Sequence, residues 1–203
     1  MADRTGGPGG GGRPAPELPV HGTGPGEITI EGLTAGGWAL LVFVSEHCPT
    51  SALALRRLGP LCQAWATAGL TAIAIFEDPL EVAIRTARRL GWTGRVATDD
   101  PPYPASRAYR VATVPTAVLA GRGGVLAGTV AGWDHPALAA LLGAAEEMLG
   151  SGLAVPPPPS RCASRAAPPK PPSTRTWRRR CPATAPPTSW RRCSSAAGPT
   201  ACR

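Results

Sequence analysis

The sequence predicts an α/β domain in which helices flank a mixed central sheet. Continuous apolar runs at Trp38–Val44 and Leu70–Phe76 are typical of strands that are buried on both faces. Two short apolar segments on either side of the glycine-rich run 121–124 indicate an antiparallel hairpin. Together with the helical segments between them, these observations predict the element order ββαβαβ(α)ββα.

The first 26 residues are predicted to form a flexible, disordered leader. They contain four consecutive glycines at 9–12 and several isolated prolines, and they have too few apolar groups to offset the entropy of ordering the backbone. The folded domain is therefore predicted to span residues 27–150. Its first strand is expected at Ile28–Ile30, and a turn at 35–37 leads into the Trp38–Val44 strand.

A helix is predicted to follow Cys48. Pro49 suits the first turn of a helix, where its missing N–H costs nothing, and Gly59-Pro60 is expected to kink the helix further along. Apolar residues recur at helical spacing and predict a buried stripe. The stripe consists of Ala54, Leu58, Leu61, Cys62 and Trp65.

A second helix is predicted from the residues at its two ends. Asp78 is expected to cap it, with Pro79 and Glu81 in its first turn. Arg88 and Arg89 precede Gly91 at the other end, where basic side chains and a glycine favour termination.

The remainder of the domain is predicted to hold a short strand at 95–98, a helical turn at 104–109 and the hairpin 116–119 with 125–130. A last helix is expected between Asp134 and Gly150. Its apolar face is expected to comprise Leu138, Leu141, Leu142, Ala145 and Met148.

The net charge of +8 would ordinarily favour a nucleic acid or an acidic membrane surface as partner. Residues 151–203, however, hold nine Arg, one Lys and no acidic residue. Residues 1–150 hold the other 11 basic and all 13 acidic residues, a net charge of −2. The predicted domain is therefore nearly neutral, which argues against a nucleic-acid partner unless the basic tail is a genuine product of the gene.

Residues 151–203 are predicted to be a Pro/Arg-rich disordered tail, and their composition favours the hypothesis of a frameshift product. The four tail cysteines contain no C-x-x-C pair, which gives little support to a zinc site. No apolar segment approaches the roughly 20 residues that span a bilayer, and no secretory signal precedes the domain. We therefore expect a cytoplasmic protein without a membrane partner, a metal or a cofactor.

The candidate chemistry lies at the junction between the first long strand and the helix after it, in the segment Ser45-Glu46-His47-Cys48-Pro49-Thr50-Ser51. A sulfur at a helix N-terminus faces unpaired backbone N–H groups and the positive end of the helix dipole. Both favour the thiolate and lower the pKa of a cysteine below its free value near 8.5. Cys48 is therefore the predicted nucleophile.

The chain resembles the thioredoxin-like redoxins, which include thiol–disulfide reductases and peroxiredoxins. The resemblance rests on the strand-Cys-Pro-x-Ser-helix unit, the acidic turn at 76–79 and the segment 108–116 before a glycine-rich hairpin, and it covers about residues 27–150. It implies a thioredoxin-like fold and a cis peptide bond at Pro115 beside the active cysteine. It also implies that Pro49, Val114 and Pro115 line the substrate site.

Two departures from the family pattern shape the expected activity. Thioredoxins carry a second cysteine three residues after the first, where this chain has Ser51. A hydroxyl cannot form the internal disulfide, so Cys48 is expected to act by a monothiol route on a protein or low-molecular-weight disulfide, with an external thiol releasing the product. Ser51 is expected to assist by donating a hydrogen bond to the thiolate.

Two other functions remain open at this point. A thiol peroxidase is an alternative because Ser45 matches the hydroxyl residue that peroxiredoxins place three positions before their cysteine, although Leu41 replaces their proline. A non-catalytic binding module that uses the groove beside Pro115 is the other, since a buried cysteine is often an inert apolar residue.

The other candidate residues have structural interpretations. Cys62 lies on the apolar stripe about 20 Å along the helix from Cys48, too far for the two thiols to pair. His47 is expected at the surface, Asp78 is accounted for by helix capping, and Glu77 is expected to be exposed at a strand end.

Overall fold

The computed structural model describes residues 13–23, 28–150, 152–153 and 156. Six strands form one sheet in the order β1-β4-β3-β2-β5-β6. The strands are β1 His21–Gly22, β2 Trp38–Val44, β3 Leu70–Phe76, β4 Arg95–Thr98, β5 Thr116–Gly121 and β6 Val125–Ala131. The helices are α1 Ile30–Thr34, α2 Pro49–Leu58, α3 Cys62–Thr67, α4 Leu80–Arg89, α5 Pro104–Ala108 and α6 His135–Leu149, with a 3-10 turn at Gly59–Leu61.

The sheet is mixed, as the sequence predicts. Strand β3 lies parallel to both β2 and β4, whereas β5 pairs antiparallel with β2 and with β6. The hairpin of β5 and β6 supplies the predicted antiparallel part. Because β2, β3 and β4 run in the same direction, their carboxyl ends meet at one edge of the sheet, and the Cys48 turn lies at that edge.

Two apolar clusters hold the sheet from its two faces. Alternate residues of β2 point into each of them: Leu40, Val42 and Val44 face the first cluster, and Ala39, Leu41 and Phe43 face the second. Residues of α2, α3, α4 and α6 complete the first cluster, while residues of α1 and α5 complete the second. The continuous apolar run of β2 thus reflects burial on both faces.

The predicted leader is wrong for residues 13–23, which pack against the domain. β1 pairs with residues 97–98 of β4, Pro14 forms a bridge with Val125 at the opposite edge of the sheet, and the Tyr109 hydroxyl donates a hydrogen bond to the Pro16 carbonyl over 2.8 Å. Leu18 and Val20 are buried in the second cluster, and their burial stabilises a segment that is otherwise rich in proline. The rest of the predicted leader, residues 1–12 and 24–26, lies outside the described residues.

The predicted strand at Ile28–Ile30 is also wrong. Thr29 instead caps α1, because its hydroxyl accepts a hydrogen bond from the Gly32 N–H over 3.0 Å. Ile28 only forms an isolated bridge with Val20. The β-branched triplet Ile28-Thr29-Ile30 therefore leads into a short helix, and its middle residue, Thr29, is the N-cap of that helix.

The predicted interruption at Gly59-Pro60 is confirmed, since α2 ends at Leu58 and a 3-10 turn separates it from α3. Gly59 lies so close to the backbone of residues 91–92 that a Cβ there would collide with the Gly91 carbonyl. The last helix is confirmed as well, with the Asp134 carboxylate capping its start and Gly150, at a φ of 65°, ending it. Met148, expected on the buried face, is 73% exposed.

Asp78 does not cap α4. That helix begins at Leu80 with Pro79 at the N-cap position and no side-chain cap. The Asp78 carboxylate instead accepts a hydrogen bond from the backbone N–H of Glu46, which precedes it by 32 residues.

The predicted tail lies outside the described residues except for Gly152, Leu153 and Pro156. Within the described part of the chain, no helix is both long and apolar enough to cross a membrane.

The packing of residues 13–23 leads to a stability prediction. Leu18 is 5% exposed and Leu53 is 37% exposed, so Leu18→Ala creates a cavity and should lower the free energy of unfolding by about 2–4 kcal/mol. The same substitution at Leu53 should change it by less than about 1 kcal/mol. Urea unfolding of the two variants measures both values, and equal midpoints would contradict the packed position of the segment.

Candidate active site

Cys48 occupies the N-cap position of α2. The chain leaves β2 at Val44, and the Cys48 N–H donates to the Ser45 carbonyl over 3.2 Å, closing a tight turn before the helix begins at Pro49. The Cys48 sulfur accepts a hydrogen bond from the Ser51 backbone N–H at 3.4 Å. The thiol is partly exposed. It therefore combines access for a substrate with the contact to a helix N-terminus that the sequence predicts.

The loop before β5 lies against the same sulfur. The Cys48 thiol donates to the Val114 carbonyl over 3.3 Å, and the peptide bond between Val114 and Pro115 is cis, as the resemblance implies. Pro115 is buried, and its carbonyl accepts a hydrogen bond from the Gly132 N–H over 2.7 Å. The structure thus places Val114 directly on the sulfur, with Pro115 next along the chain and Pro49 exposed on the other side of Cys48.

Ser51 is fully buried beneath the turn. Its hydroxyl oxygen accepts a hydrogen bond from the Ser45 N–H over 3.3 Å, while its own backbone N–H donates to the Cys48 sulfur. Ser51 therefore links the end of β2 to the nucleophile. The sequence analysis predicts that the Ser51 hydroxyl donates a hydrogen bond to the sulfur. In the structure the backbone N–H of Ser51 is a donor to the sulfur, at 3.4 Å.

The pKa of Cys48 lies below its ordinary value. Partial burial acts in the opposite direction and raises it, but hydrogen bonds from the side chain and backbone of Ser51 and from Thr50 outweigh burial. These donors are hydroxyl and backbone N–H groups of the first turn of α2, a position at which a cysteine favours the thiolate.

Cys62 behaves in the opposite way. It is buried on the first cluster, its thiol donates weakly to the Leu58 carbonyl at 3.6 Å, and burial raises its pKa. The structural interpretation of Cys62 agrees with this environment, and the residue supplies an internal reference for the reactivity of Cys48.

Two acidic residues beyond β3 differ from the sequence expectations. Glu77 is half-buried rather than exposed, and its pKa is raised by burial and by the nearby charges of Asp99 and Asp78. Asp78 holds the Glu46 N–H at 2.7 Å. The signal that could have found this contact is topological, because Ser45 and Glu77 follow adjacent parallel strands whose carboxyl ends meet at one edge.

Glu46, His47 and Asp78 bring one oxygen or nitrogen each to within 4.8 Å of one another, and they form the candidate metal ligand set of the described residues. The Asp78 carboxylate already accepts the Glu46 N–H. The Glu46 carboxylate accepts from the Thr86 hydroxyl over 3.1 Å and lies 3.6 Å from the Arg89 guanidinium. These contacts account for both carboxylates without a bound ion, and we assign no metal to them. His47 is exposed, as expected.

The strand order, the cysteine at the start of α2 and the cis-proline before β5 define a thioredoxin-like fold. Solved structures with this fold match the chain over about two thirds of its length. At identities below 25% the likeness establishes the fold. The sequence matches no protein-family model and no curated protein.

Three of these structures carry names that describe thiol chemistry. A solution structure described as a protein disulfide isomerase, from Bacteroides thetaiotaomicron, is 22% identical with a TM-score of 0.60, and the match covers 70% of this chain and 91% of that one. A crystal structure described as the thiol:disulfide interchange protein DsbE, from Chlorobium tepidum, is 22% identical with a TM-score of 0.58 and coverages of 66% and 96%. The thioredoxin domain of a thiol-disulfide oxidoreductase from Bacteroides vulgatus is 15% identical with a TM-score of 0.55 and coverages of 68% and 96%.

The contacts of Ser51 predict a shift in the titration of Cys48. In Ser51→Ala the side-chain hydrogen bond that lowers the pKa of Cys48 is lost, so the pKa rises and the rate of thiolate reactions moves to higher pH. At a pH below the pKa, the smaller thiolate fraction should slow the reaction of Cys48 by about three- to ten-fold. The pH dependence of its reaction with a small aromatic disulfide measures this.

Ser106→Ala is the matched control for this prediction. Ser106 is also buried, but its backbone N–H donates to the carboxylate of Asp99, the residue after β4, rather than to the Cys48 sulfur. A rate profile for Ser51→Ala that superimposes on that of Ser106→Ala would rule out the contribution of Ser51.

Proposed function

We propose that the chain is a monothiol thiol–disulfide oxidoreductase in which Cys48 is the nucleophile. The observation that carries the proposal is the position of the Cys48 sulfur, which is partly exposed and accepts the Ser51 N–H at the start of α2. A hydroxyl at position 51 replaces the thiol that would otherwise complete an internal disulfide. The thiol chemistry in the names of the similar structures supports the same class of reaction.

The proposed reaction has two exchange steps. The Cys48 thiolate attacks one sulfur of a substrate disulfide, a bond forms between the two sulfurs, and the other substrate sulfur leaves as a thiolate that takes a proton from solvent. An external thiol then attacks the substrate sulfur of the mixed disulfide and releases the Cys48 thiolate. After these two steps one half of the substrate disulfide is free as a thiol, and the other half is a mixed disulfide with the external thiol. A second external thiol that attacks the external sulfur of this mixed disulfide completes the two-electron reduction of the substrate and leaves the two external thiols as a disulfide.

A protein disulfide or a low-molecular-weight disulfide is the proposed substrate. The carbonyl of Val114 lies on the Cys48 sulfur, so an incoming disulfide has to approach between this loop and the exposed Pro49. We retain the cytoplasm as the proposed compartment, since thiols such as Cys48 and Cys62 stay reduced there.

No observation favours the peroxidase. The Ser45 hydroxyl accepts from the His47 N–H at 3.4 Å rather than contacting Cys48. Among the described residues, no arginine has a recorded hydrogen bond to the sulfur. The non-catalytic binding module is the function that would be favoured if Cys48 formed no mixed disulfide.

The monothiol route predicts that an intermediate accumulates in the wild-type protein. With an excess of a small disulfide and no added thiol, the mixed disulfide at Cys48 should persist, because position 51 has no thiol to resolve it. In Ser51→Cys the new thiol lies one helical turn from Cys48, a separation that suits a disulfide, so this variant should convert the mixed disulfide to an internal one. Peptide-resolved mass spectrometry distinguishes the two products.

Cys48→Ser and Cys62→Ser are the controls for this experiment. The mixed disulfide should vanish in the first and remain in the second. A wild-type protein that forms no adduct at Cys48 would contradict the oxidoreductase and leave the binding module. Loss of hydrogen peroxide that depends on Cys48 and saturates with peroxide would instead establish the peroxidase.

A further inference from the structure

The turn that carries Cys48 is attached to the β3–α4 region by contacts that the proposed reaction does not itself use. The Glu46 N–H donates to the Asp78 carboxylate over 2.7 Å. The Glu46 side chain accepts from the Thr86 hydroxyl over 3.1 Å and lies 3.6 Å from the Arg89 guanidinium. We call Glu46, Asp78 and Thr86 the turn clamp. In this clamp Asp78 holds the backbone of Glu46 and Thr86 holds its side chain. Glu46 lies two positions before the nucleophile.

Asp78 is itself held from both sides. Its carbonyl accepts a hydrogen bond from the Thr98 hydroxyl at the end of β4, and the N–H of the preceding residue, Glu77, donates to the Val44 carbonyl over 3.1 Å. The residue is buried, where an unpaired carboxylate is costly. The Glu46 N–H therefore provides a hydrogen-bond donor for the Asp78 carboxylate, which does not cap α4.

The clamp acts on the sulfur through a short path. The Cys48 N–H closes the turn onto the Ser45 carbonyl, and the Cys48 carbonyl accepts the Ala52 N–H to begin α2. The sulfur reaches the Ser51 N–H only when the backbone of residues 45–52, which these two hydrogen bonds span, keeps this conformation. Glu46 lies inside that turn, so movement of its backbone would turn the sulfur away from the helix N-terminus.

We propose that Asp78 is a positioning residue for Cys48, which holds the Glu46 backbone so that the sulfur stays on the N-terminus of α2. This inference rests on the proposed function, because it concerns the reactivity of the same thiol. Thr86 supports the same geometry from α4 through the Glu46 side chain.

The charge and the geometry of Asp78 have opposite effects on Cys48, and this makes the inference testable. A nearby negative charge disfavours a thiolate, whereas a fixed turn favours it. Asp78→Asn keeps an oxygen acceptor and removes the charge, while Asp78→Ala removes both. The charged groups around the clamp come from the turn, from α4 and from the ends of β3 and β4: His47, Glu77, Arg89 and Asp99.

The experiment compares the full-length wild type with Asp78→Ala, Asp78→Asn and Glu81→Gln, the last a matched loss of an exposed carboxylate in the first turn of α4. The rate of mixed-disulfide formation at Cys48 is measured against pH. Relative to Asp78→Asn, which loses the same charge, Asp78→Ala should shift the profile to higher pH and slow the reaction at neutral pH by about three- to ten-fold. Asp78→Asn should react at least as fast as the wild type, and Glu81→Gln should match it.

An Asp78→Ala profile equal to that of Asp78→Asn would overturn the inference, because the two variants lose the same charge and differ in the acceptor for the Glu46 N–H. If Asp78→Ala does not fold, Thr86→Val decides the question: it removes one clamp hydrogen bond at nearly constant volume, and an unchanged profile would contradict positioning through Glu46. A wild-type Cys48 that forms no mixed disulfide would instead overturn the proposed function, so the two failures are distinguishable.

Discussion

The sulfur of Cys48 accepts a hydrogen bond from the Ser51 backbone N–H, and the reactive form of the site depends on this contact. Burial alone would favour the neutral thiol, and only the donors in the first turn of α2 reverse that preference. The contact exists because the chain enters a helix directly after a buried strand and begins that helix with Pro49, which has no N–H of its own. Cys48 therefore lies at the N-cap position, where a side chain can accept hydrogen bonds from the unpaired N–H groups of the first helical turn.

The sheet fixes where this contact lies. β2 is buried on both faces, and its residues divide between the two apolar clusters, so a shift of the strand by one residue would exchange all its side chains between them. β5 pairs with β2 from Ala39 to Phe43, and the loop before β5 therefore ends beside the turn that follows β2. The approach of the Val114 carbonyl to the sulfur follows from this pairing.

Local patterns were sufficient to predict the parts of the fold that local residues determine. The long strands, the break at Gly59, the hairpin and the helix between Asp134 and Gly150 all have periodicity or terminal residues that identify them. The position of Cys48 followed from the same signals. Residues 13–23 were missed because Leu18 and Val20 are only two apolar residues among prolines, and because the strands that this segment pairs with, β4 and β6, lie more than 70 positions away along the chain. Asp78 was assigned to the nearest helix, whereas its partner is the distant N–H of Glu46.

The most direct test of a thiolate at Cys48 is the pH dependence of iodoacetamide alkylation in the full-length protein, measured separately for Cys48 and Cys62 by mass spectrometry. The two thiols share one molecule and one solution, so the difference between them reports only their surroundings. We expect Cys48 to titrate below the free thiol value of about 8.5, and Cys62 to react slowly and titrate above that value, because burial raises its pKa. A Cys48 that titrates at or above the free value would contradict a thiolate held at the start of α2 and remove the physical basis for a redox nucleophile.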